Sequence, residues 1–193
     1  MTFINEHKIL GDDNETTAKV TRNKELVVKG YCASMPMEAH AGDNENTYSV
    51  VYNIDPNVAG DFLYLKNTSD KFLRIHKIKA HTSGTGGEVT IKTGVTGTPT
   101  TGIDLIPVNA LIGSGETAEG TFNRNTSTAS LALTGGNTFD SLLLVSAVEN
   151  EWNFTGEIAL KKNQTLVLTN AVDPTAVMTW TIYFYYHKAV IKD

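Results

Sequence analysis

Three side chains on the last predicted strand have the residue types and the spacing to bind a partner. The segment MTWTIYFYYH, Met178 to His187, alternates with a period of two, which places Tyr183, Tyr185 and His187 on one face, opposite an apolar one. A tyrosine ring buries apolar area while its hydroxyl keeps a polar partner, whereas an open sheet face would carry lysine and glutamate. We therefore predict that this face is covered. A partner subunit, a segment of the same chain and a flat ligand such as a sugar ring are the alternatives.

The sequence carries no catalytic pattern. Ser114 lies in GSGE, which differs from the G-x-S-x-G elbow of hydrolases, and SGTGG lacks the Lys-Ser/Thr ending of a phosphate-binding loop. Nearly every carboxylate falls in or beside a predicted turn, where no apolar pocket would raise its pKa. We predict that the protein is not an enzyme and uses no cofactor. The alternative is a jelly-roll enzyme whose acids meet only in three dimensions.

Two groups of residues have the chemistry of metal ligands. His76 and His81 would share a metal ion only if the fold brought them together. The acidic segments GDDNE and GDNEN, residues 11–15 and 42–46, contain the hard oxygen ligands that calcium prefers. Partly exposed strand histidines and solvated turns are the simpler interpretations, so we predict no metal site.

The size and charge of the chain exclude several classes of protein. Its 193 residues suffice for one domain with a sizeable core, and its single cysteine, Cys32, excludes an internal disulfide. The net charge of −5 and the lack of a Lys/Arg cluster predict no nucleic-acid binding. No signal peptide and no run of ~20 apolar residues is visible, which predicts that the protein does not associate with a membrane.

Short alternating runs bounded by turn residues predict an all-β chain of about ten strands. They include TYSVVYNI, GEVTIKTGV, GIDLIPVNAL, ASLALT and DSLLLVSAV. Two hairpins are predicted, one between DFLYLKN and KFLRIHKIKAH and one between EIALKK and QTLVLT. Because most strands alternate apolar residues with Thr, Ser or Lys, we predict an antiparallel β-sandwich, jelly-roll-like, over residues 46–193.

Residues 1–45 differ from the rest of the chain because they are polar and contain few large apolar side chains. Their one predicted hairpin joins TAKVT to KELVVKG, and such a segment cannot build its own core. We predict an extended N-terminal arm, with a pair of additional edge strands on the sandwich as the alternative.

Several segments resemble virion proteins of tailed bacteriophages. They are YLKNTSDKFLRIHKI, GVTGTPTTG, IPVNALIGSGETAEGTF and GEIALKKNQTLVLTN, and TTAKVTRNKELVVKG resembles the opening hairpin of many phage structural proteins. The resemblance implies a β-sandwich virion component, such as a head-decoration (cement) protein, a head fibre or a tail-associated protein, usually oligomeric. These segments are turns and strand edges, so the resemblance assigns no functional residue.

The leading hypothesis is a non-enzymatic capsid decoration protein that contacts the major capsid protein or other virion proteins. On this hypothesis it is made in the host bacterial cytoplasm and forms a homotrimer in which Tyr183, Tyr185 and His187 pack against a sister subunit or the N-terminal arm. The alternative is carbohydrate binding, by a tail- or fibre-associated virion protein or by a cellular module. Sugar platforms usually include exposed tryptophan, whereas Trp180 falls on the apolar face and Trp152 at a strand start.

Overall fold

The computed structural model of the chain describes residues 19–20, 26–27, 47–55, 58–170 and 177–187. Over these residues the protein is all-β, with two antiparallel sheets packed against each other and a separate two-stranded pair. This confirms the predicted antiparallel β-sandwich.

The described residues form thirteen strands, numbered in chain order. Their bounds are β1 Lys19–Val20, β2 Leu26–Val27, β3 Thr47–Ile54, β4 Gly60–Asn67, β5 Phe72–Thr82, β6 Gly87–Thr96, β7 Ile103–Asp104, β8 Val108–Asn109, β9 Gly120–Arg124, β10 Thr134–Leu144, β11 Asn150–Leu160, β12 Thr165–Asn170 and β13 Met178–His187.

Eight of these strands have jelly-roll connectivity. One sheet has the order β11-β5-β13-β3-β8 and the other the order β10-β6-β12-β4-β9-β7. With β7, β8 and β9 set aside, each sheet holds four strands, and successive strands alternate between the sheets except from β6 to β10. This is the arrangement of a double-sheet jelly roll.

Strands β7, β8 and β9 form an insertion between β6 and β10 that extends one side of the sandwich. We call residues 97–124 the β7–β9 insertion. β9 pairs with β4 and β7 pairs with β9 in the six-stranded sheet, while β8 pairs with β3 in the five-stranded sheet. The chain therefore passes from one sheet to the other between β7 and β8, so the predicted strand GIDLIPVNAL is two short strands.

The predicted N-terminal hairpin is confirmed in its pairing, because Lys19 lies opposite Val27 and Val20 opposite Leu26. The chain divides into a unit over Met1–Ser34 and a unit over Met35–Asp193, and both large sheets belong to the second. The rest of the predicted arm, including Cys32 and both acidic segments, lies outside the described residues. The arm boundary at residue 45 stays a prediction.

The core between the sheets follows the alternation that the sequence shows. Along β13 the side chains of Met178, Trp180, Ile182, Phe184 and Tyr186 are all buried. Aromatic rings continue the packing across the sandwich, with ring centroids 5.2 Å apart between Phe122 and Phe184 and 5.5 Å apart between Phe62 and Trp180. Ring pairs at such distances add to the free energy that the burial of apolar surface provides.

A second, smaller core lies on the outer face of the six-stranded sheet. Tyr64, Val95 and Val167 are buried there beneath Leu131. The backbone N–H of Leu131 donates to the carbonyl oxygen of Asp61 at 2.9 Å, which holds the segment between β9 and β10 across the sheet. The predicted strand ASLALT is therefore wrong. Residues 129–133 cross the outer face of the six-stranded sheet, where Leu131 is buried, and only Thr134 belongs to a strand.

Both predicted hairpins between long strands are also wrong. β4 and β5 lie in different sheets, and so do β11 and β12. The turn residues after Asn67 and around Asn163 do reverse the chain, and Asn163 has a positive φ of 67°. A turn signal predicts such a reversal but does not specify which sheet the returning strand joins.

Asn67 forms hydrogen bonds to two turns, the one after β4 and the one between β11 and β12, and each of these turns carries the chain from one sheet to the other. The Nδ2 of Asn67 donates to the carbonyl oxygens of Lys71 at 2.7 Å and Leu160 at 2.8 Å, and its Oδ1 accepts from the N–H of Ser69 at 2.9 Å. Its backbone N–H and carbonyl oxygen bond to the backbone of residues 164 and 163 at 3.1 and 2.7 Å. Asn67 is fully buried and its neighbours Ser69 and Leu160 are buried as well, so loss of the amide would leave backbone groups without a partner where water has little access.

We expect Asn67→Ala to lower the free energy of unfolding by about 3 kcal/mol, because it leaves buried backbone groups of both turns without partners. Asn67→Asp keeps the shape but turns a carboxylate oxygen towards two carbonyl oxygens, so it should destabilise at least as much. Urea denaturation followed by tryptophan fluorescence measures both. The control is Asn137→Ala on the exposed part of β10, expected within about 0.5 kcal/mol of the parent. Equal stability of all four proteins would refute the structural role of Asn67.

Candidate functional site

The predicted binding face lies on the central strand of the five-stranded sheet. Tyr183, Tyr185 and His187 share the outer face of β13, which pairs with β3 on one side and β5 on the other. Tyr185 is only 8% exposed, whereas Tyr183 and His187 are half-buried. Most of the Tyr185 surface is therefore covered within one chain, and the role of the three residues as a subunit interface stays a prediction.

A cluster of charges borders this face. Lys77 and Lys79 of β5 lie opposite Asn153 and Glu151 of β11. The Nζ of Lys77 lies 3.2 Å and that of Lys79 3.4 Å from the Glu151 carboxylate, and Lys79 also contacts Glu149 at 2.8 Å. The Asn153 amide donates to Glu151 at 2.9 Å. The Asn153 amide and the Lys77 ammonium group together lower the pKa of Glu151 to about 2.

The two histidines considered as metal ligands both lie on β5, five residues apart along the strand. At ~3.3 Å per residue their backbones are separated by roughly 16 Å, which is too far for a shared ion. Within the described ranges, no group of three or more His, Cys, Asp or Glu side chains could hold a metal ion.

Both tryptophans belong to the core. The Trp180 side chain is completely buried, and the Trp152 ring stacks on it with centroids 5.9 Å apart and planes 9° apart. Trp152 is only partly buried, but its ring packs against the main core. Neither ring lies on the Tyr183 face, so this face lacks the tryptophan that a sugar platform usually has.

Among the described residues, the two most exposed large apolar side chains lie on the β7–β9 insertion, in a place that the sequence did not indicate. Ile106 is 86% exposed and Ile112 is 96% exposed, and Ile103, Val108 and Leu111 are exposed beside them. Five large aliphatic side chains within ten residues make a cluster rather than scattered surface positions. Clusters of this kind mark sites of interaction.

Hydrogen bonds hold the backbone of the β7–β9 insertion in place. The N–H of Leu105 donates to the carbonyl oxygen of Phe122 at 2.8 Å, and that of Ala110 donates to the carbonyl oxygen of Thr47 at 2.8 Å. The Asn109 side chain accepts from the N–H of Leu111 at 2.8 Å. The exposed apolar residues are therefore fixed in position by hydrogen bonds to both sheets and within the insertion.

A cleft of about 430 Å³ is lined by two segments of the insertion, residues 104–107 and residues 117–122. Its one carboxylate, Asp104, accepts a hydrogen bond from the Asn123 amide at 2.6 Å. The β7–β9 insertion contains Asp104, Glu116 and Glu119 against one cationic residue, Arg124, so it carries a net negative charge. The cleft is lined by Asp104, Leu105, Ile106, Pro107, Thr117, Ala118, Gly120, Thr121 and Phe122.

A second exposed apolar cluster lies at the opposite side of the sandwich. Phe139 is 54% exposed and Leu143 is 67% exposed on β10, and Val145 and Val148 follow in the turn to β11. We call these four residues the β10 edge. The register of β10 against β6 shifts between Thr138 and Asp140, and Phe139 has no partner residue in the ladder, as is usual at a β-bulge.

The side chain of Asn150 forms three hydrogen bonds to the turn that contains Val145 and Val148. The Asn150 amide donates to the carbonyl oxygens of both valines at 3.0 Å, and its Oδ1 accepts from the N–H of Val145 at 3.1 Å. Ala147 has a positive φ of 59°, a conformation unusual for alanine, and its N–H donates to the carbonyl oxygen of Thr82 at 2.9 Å. Strained backbone that its surroundings hold in place is typical of functional surfaces.

We expect the Glu151 carboxyl group to titrate near pH 2 in the folded chain, against 4.5 for an ordinary glutamate. Because folding lowers this pKa, the stabilisation from ionised Glu151 is present above about pH 4.5 and is lost as the pH falls towards 2. Carbon-13 NMR of the side-chain carboxyl groups measures the titration. Asn153→Ala should return the pKa towards its ordinary value, and an unchanged pKa in that variant would contradict the assigned cause.

We expect Tyr185→Ala to lower the free energy of unfolding by about 3 kcal/mol, since the ring is almost fully buried. Tyr183→Ala, at a half-buried position on the same face, should lower the free energy of unfolding by less. Thermal unfolding gives the stabilities, and light scattering gives the molar mass. A lower mass of Tyr185→Ala with unchanged stability would instead show that this face is the subunit interface that the sequence predicted.

Among the described residues, no helix is long and apolar enough to cross a membrane. No protein-family model, curated protein or solved structure matches the chain.

Proposed function

We propose that this chain is a non-enzymatic structural subunit of a tailed-bacteriophage virion, acting as a decoration protein on the head surface. The observation that carries the proposal is the β7–β9 insertion, on which ordered backbone presents Ile106 and Ile112 almost fully to solvent. An assembly protein needs such a surface, because burial of apolar area at a contact provides most of the free energy of association.

The fold supports this proposal. Double-sheet jelly rolls are common among viral capsid domains, lectins and cupins, and a fold by itself does not identify a function. The resemblance of several turns and strand edges to phage virion proteins favours the capsid role among these. The burial of Tyr185 and the packing of Trp152 on Trp180 weigh against a lectin-like aromatic platform on the five-stranded sheet.

Peptide mass spectrometry on purified, DNA-filled phage particles from the source culture tests the proposal. We expect stoichiometric recovery, hundreds of copies per particle when referred to the major capsid protein. A few to a few dozen copies would replace the decoration role by a tail, neck or fibre role. Absence from the particles would overturn the virion function, and a glycan array would then test the carbohydrate-binding alternative.

A further inference from the structure

We infer that the cleft of the β7–β9 insertion binds a lysine or arginine side chain, presented by an apolar segment of another protein. The inference rests on the proposed function only for the source of that segment, which on that proposal is a neighbouring virion protein. The cleft places one carboxylate, that of Asp104, among apolar lining residues, of which Leu105, Ile106 and Phe122 are the largest. It therefore matches a positive charge on an aliphatic stem.

The carboxylate of Asp104 is held by a residue on the neighbouring strand. Asp104 of β7 lies opposite Asn123 of β9, and the Asn123 amide donates to its Oδ1 at 2.6 Å. Asn123 is only 6% exposed, so this donor has a fixed position. Asp104 itself is exposed, and a carboxylate has about four acceptor sites, of which this bond uses one. The other sites can accept hydrogen bonds from an ammonium or guanidinium group.

The remaining lining of the cleft suits the aliphatic part of such a side chain. Leu105 and Ala118 are partly buried against the main core, and Phe122 belongs to that core. The cleft therefore extends from an exposed carboxylate to the edge of the core. Lysine and arginine bury their methylene groups on apolar surface while their charged group stays at the rim. The volume of about 430 Å³ is within the range of sites that bind small ligands.

The charges around the cleft favour a cationic ligand. None of the nine lining residues is cationic. Glu116 and Glu119 are exposed and flank the lining residues Thr117 and Ala118 in sequence. Burial raises the pKa of the Tyr48 hydroxyl, and the charges of Glu116 and Glu119 raise it further. Both glutamates therefore lie near the core beneath the insertion, and their charges add to that of Asp104.

Two cationic residues lie near the cleft but do not line it. Lys66 of β4 lies opposite Thr121 of β9, and the Arg124 guanidinium donates to the carbonyl oxygen of Asn125 at 3.1 Å. Among the described residues, neither cation forms an ion pair with Asp104. The carboxylate is therefore available to a cation from outside the chain.

The exposed aliphatic side chains at the cleft indicate that the cation belongs to a protein segment rather than to a small amine. Ile106 lines the cleft and is 86% exposed, and Val108 follows it at 64%. A small amine would leave both side chains in water. A segment with apolar residues on either side of its lysine or arginine would cover them, and burial of apolar area adds to the free energy of binding.

Peptide titration of the nitrogen-15-labelled full chain tests the inference. The probe is a capped pentapeptide with a central lysine between leucines, and matched peptides carry arginine, glutamine or glutamate at the centre. We expect the lysine and arginine peptides to shift the backbone amide resonances of residues 104–107 and 117–122. Glutamine should weaken binding about fivefold, as expected for the loss of one exposed ion pair. Added salt should weaken binding of the lysine peptide.

Three variants assign the binding to the cleft. Asp104→Asn keeps an oxygen acceptor for Asn123 but removes the charge, so it should bind the lysine peptide about fivefold more weakly and the glutamine peptide like the parent. Ile106→Ala removes apolar area and should weaken both peptides equally. The matched control is Asp140→Asn on β10, at the opposite end of the six-stranded sheet, which should bind like the parent. All three positions are exposed, so circular dichroism should be unchanged.

Equal binding of the lysine peptide by Asp104→Asn and the parent would overturn the inference. So would a preference for the glutamine or glutamate peptide, or an absence of shifts at the cleft up to the solubility limit of the peptides. Each of these results leaves the virion function intact, because exposed residues outside the cleft, such as Ile112, can still contact a partner. Conversely, a cleft that selects lysine in a protein absent from particles would overturn the virion function alone.

Discussion

The hydrogen bonds of Asn67 are the interaction on which the arrangement of the two sheets depends. Its side chain and backbone bond to the turn after β4 and to the turn between β11 and β12. Both turns carry the chain from one sheet to the other. A short amide is suited to this position, because its two donors and its acceptor satisfy three backbone groups in a space that is closed to water. One residue thus fixes the geometry of two crossings.

The position of β13 follows from these crossings. β12 lies in the six-stranded sheet and β13 returns to the other sheet, where it pairs with β3 on one side and β5 on the other. Its apolar face fills the centre of the core, where Trp180 and Phe184 contact rings from the other sheet. Its second face carries Tyr183, Tyr185 and His187 beside paired lysines and glutamates. The buried core face and the buried Tyr185 on the other face account for most of the aromatic residues of MTWTIYFYYH.

Among the described residues, most of the exposed large apolar side chains lie at the two sides of the jelly roll, and Val51 and Val177 are the exceptions. The β7–β9 insertion extends the β3/β4 side and carries Ile106 and Ile112, while β10 and its turn carry Phe139 and Leu143 on the other side. Each group is held by hydrogen bonds that keep it away from the core. The main core is filled by the eight jelly-roll strands together with Phe122 of β9, and these exposed residues lie outside it.

The sequence by itself determined the strands with a strict alternation, because burial of one face selects one residue in two. β3 and β13 have the predicted bounds, and the residues that alternate inward along them, such as Tyr48, Val50 and Tyr52 of β3, are buried. Only the tertiary structure decided which sheet each strand joins, because the turns after Asn67 and around Asn163 encode a reversal but not its partner. It also decided that Leu131 is buried in a crossing segment and that Ile106 is not buried at all. Both are aliphatic residues in short apolar runs, and their difference in exposure depends on what the rest of the chain places above them.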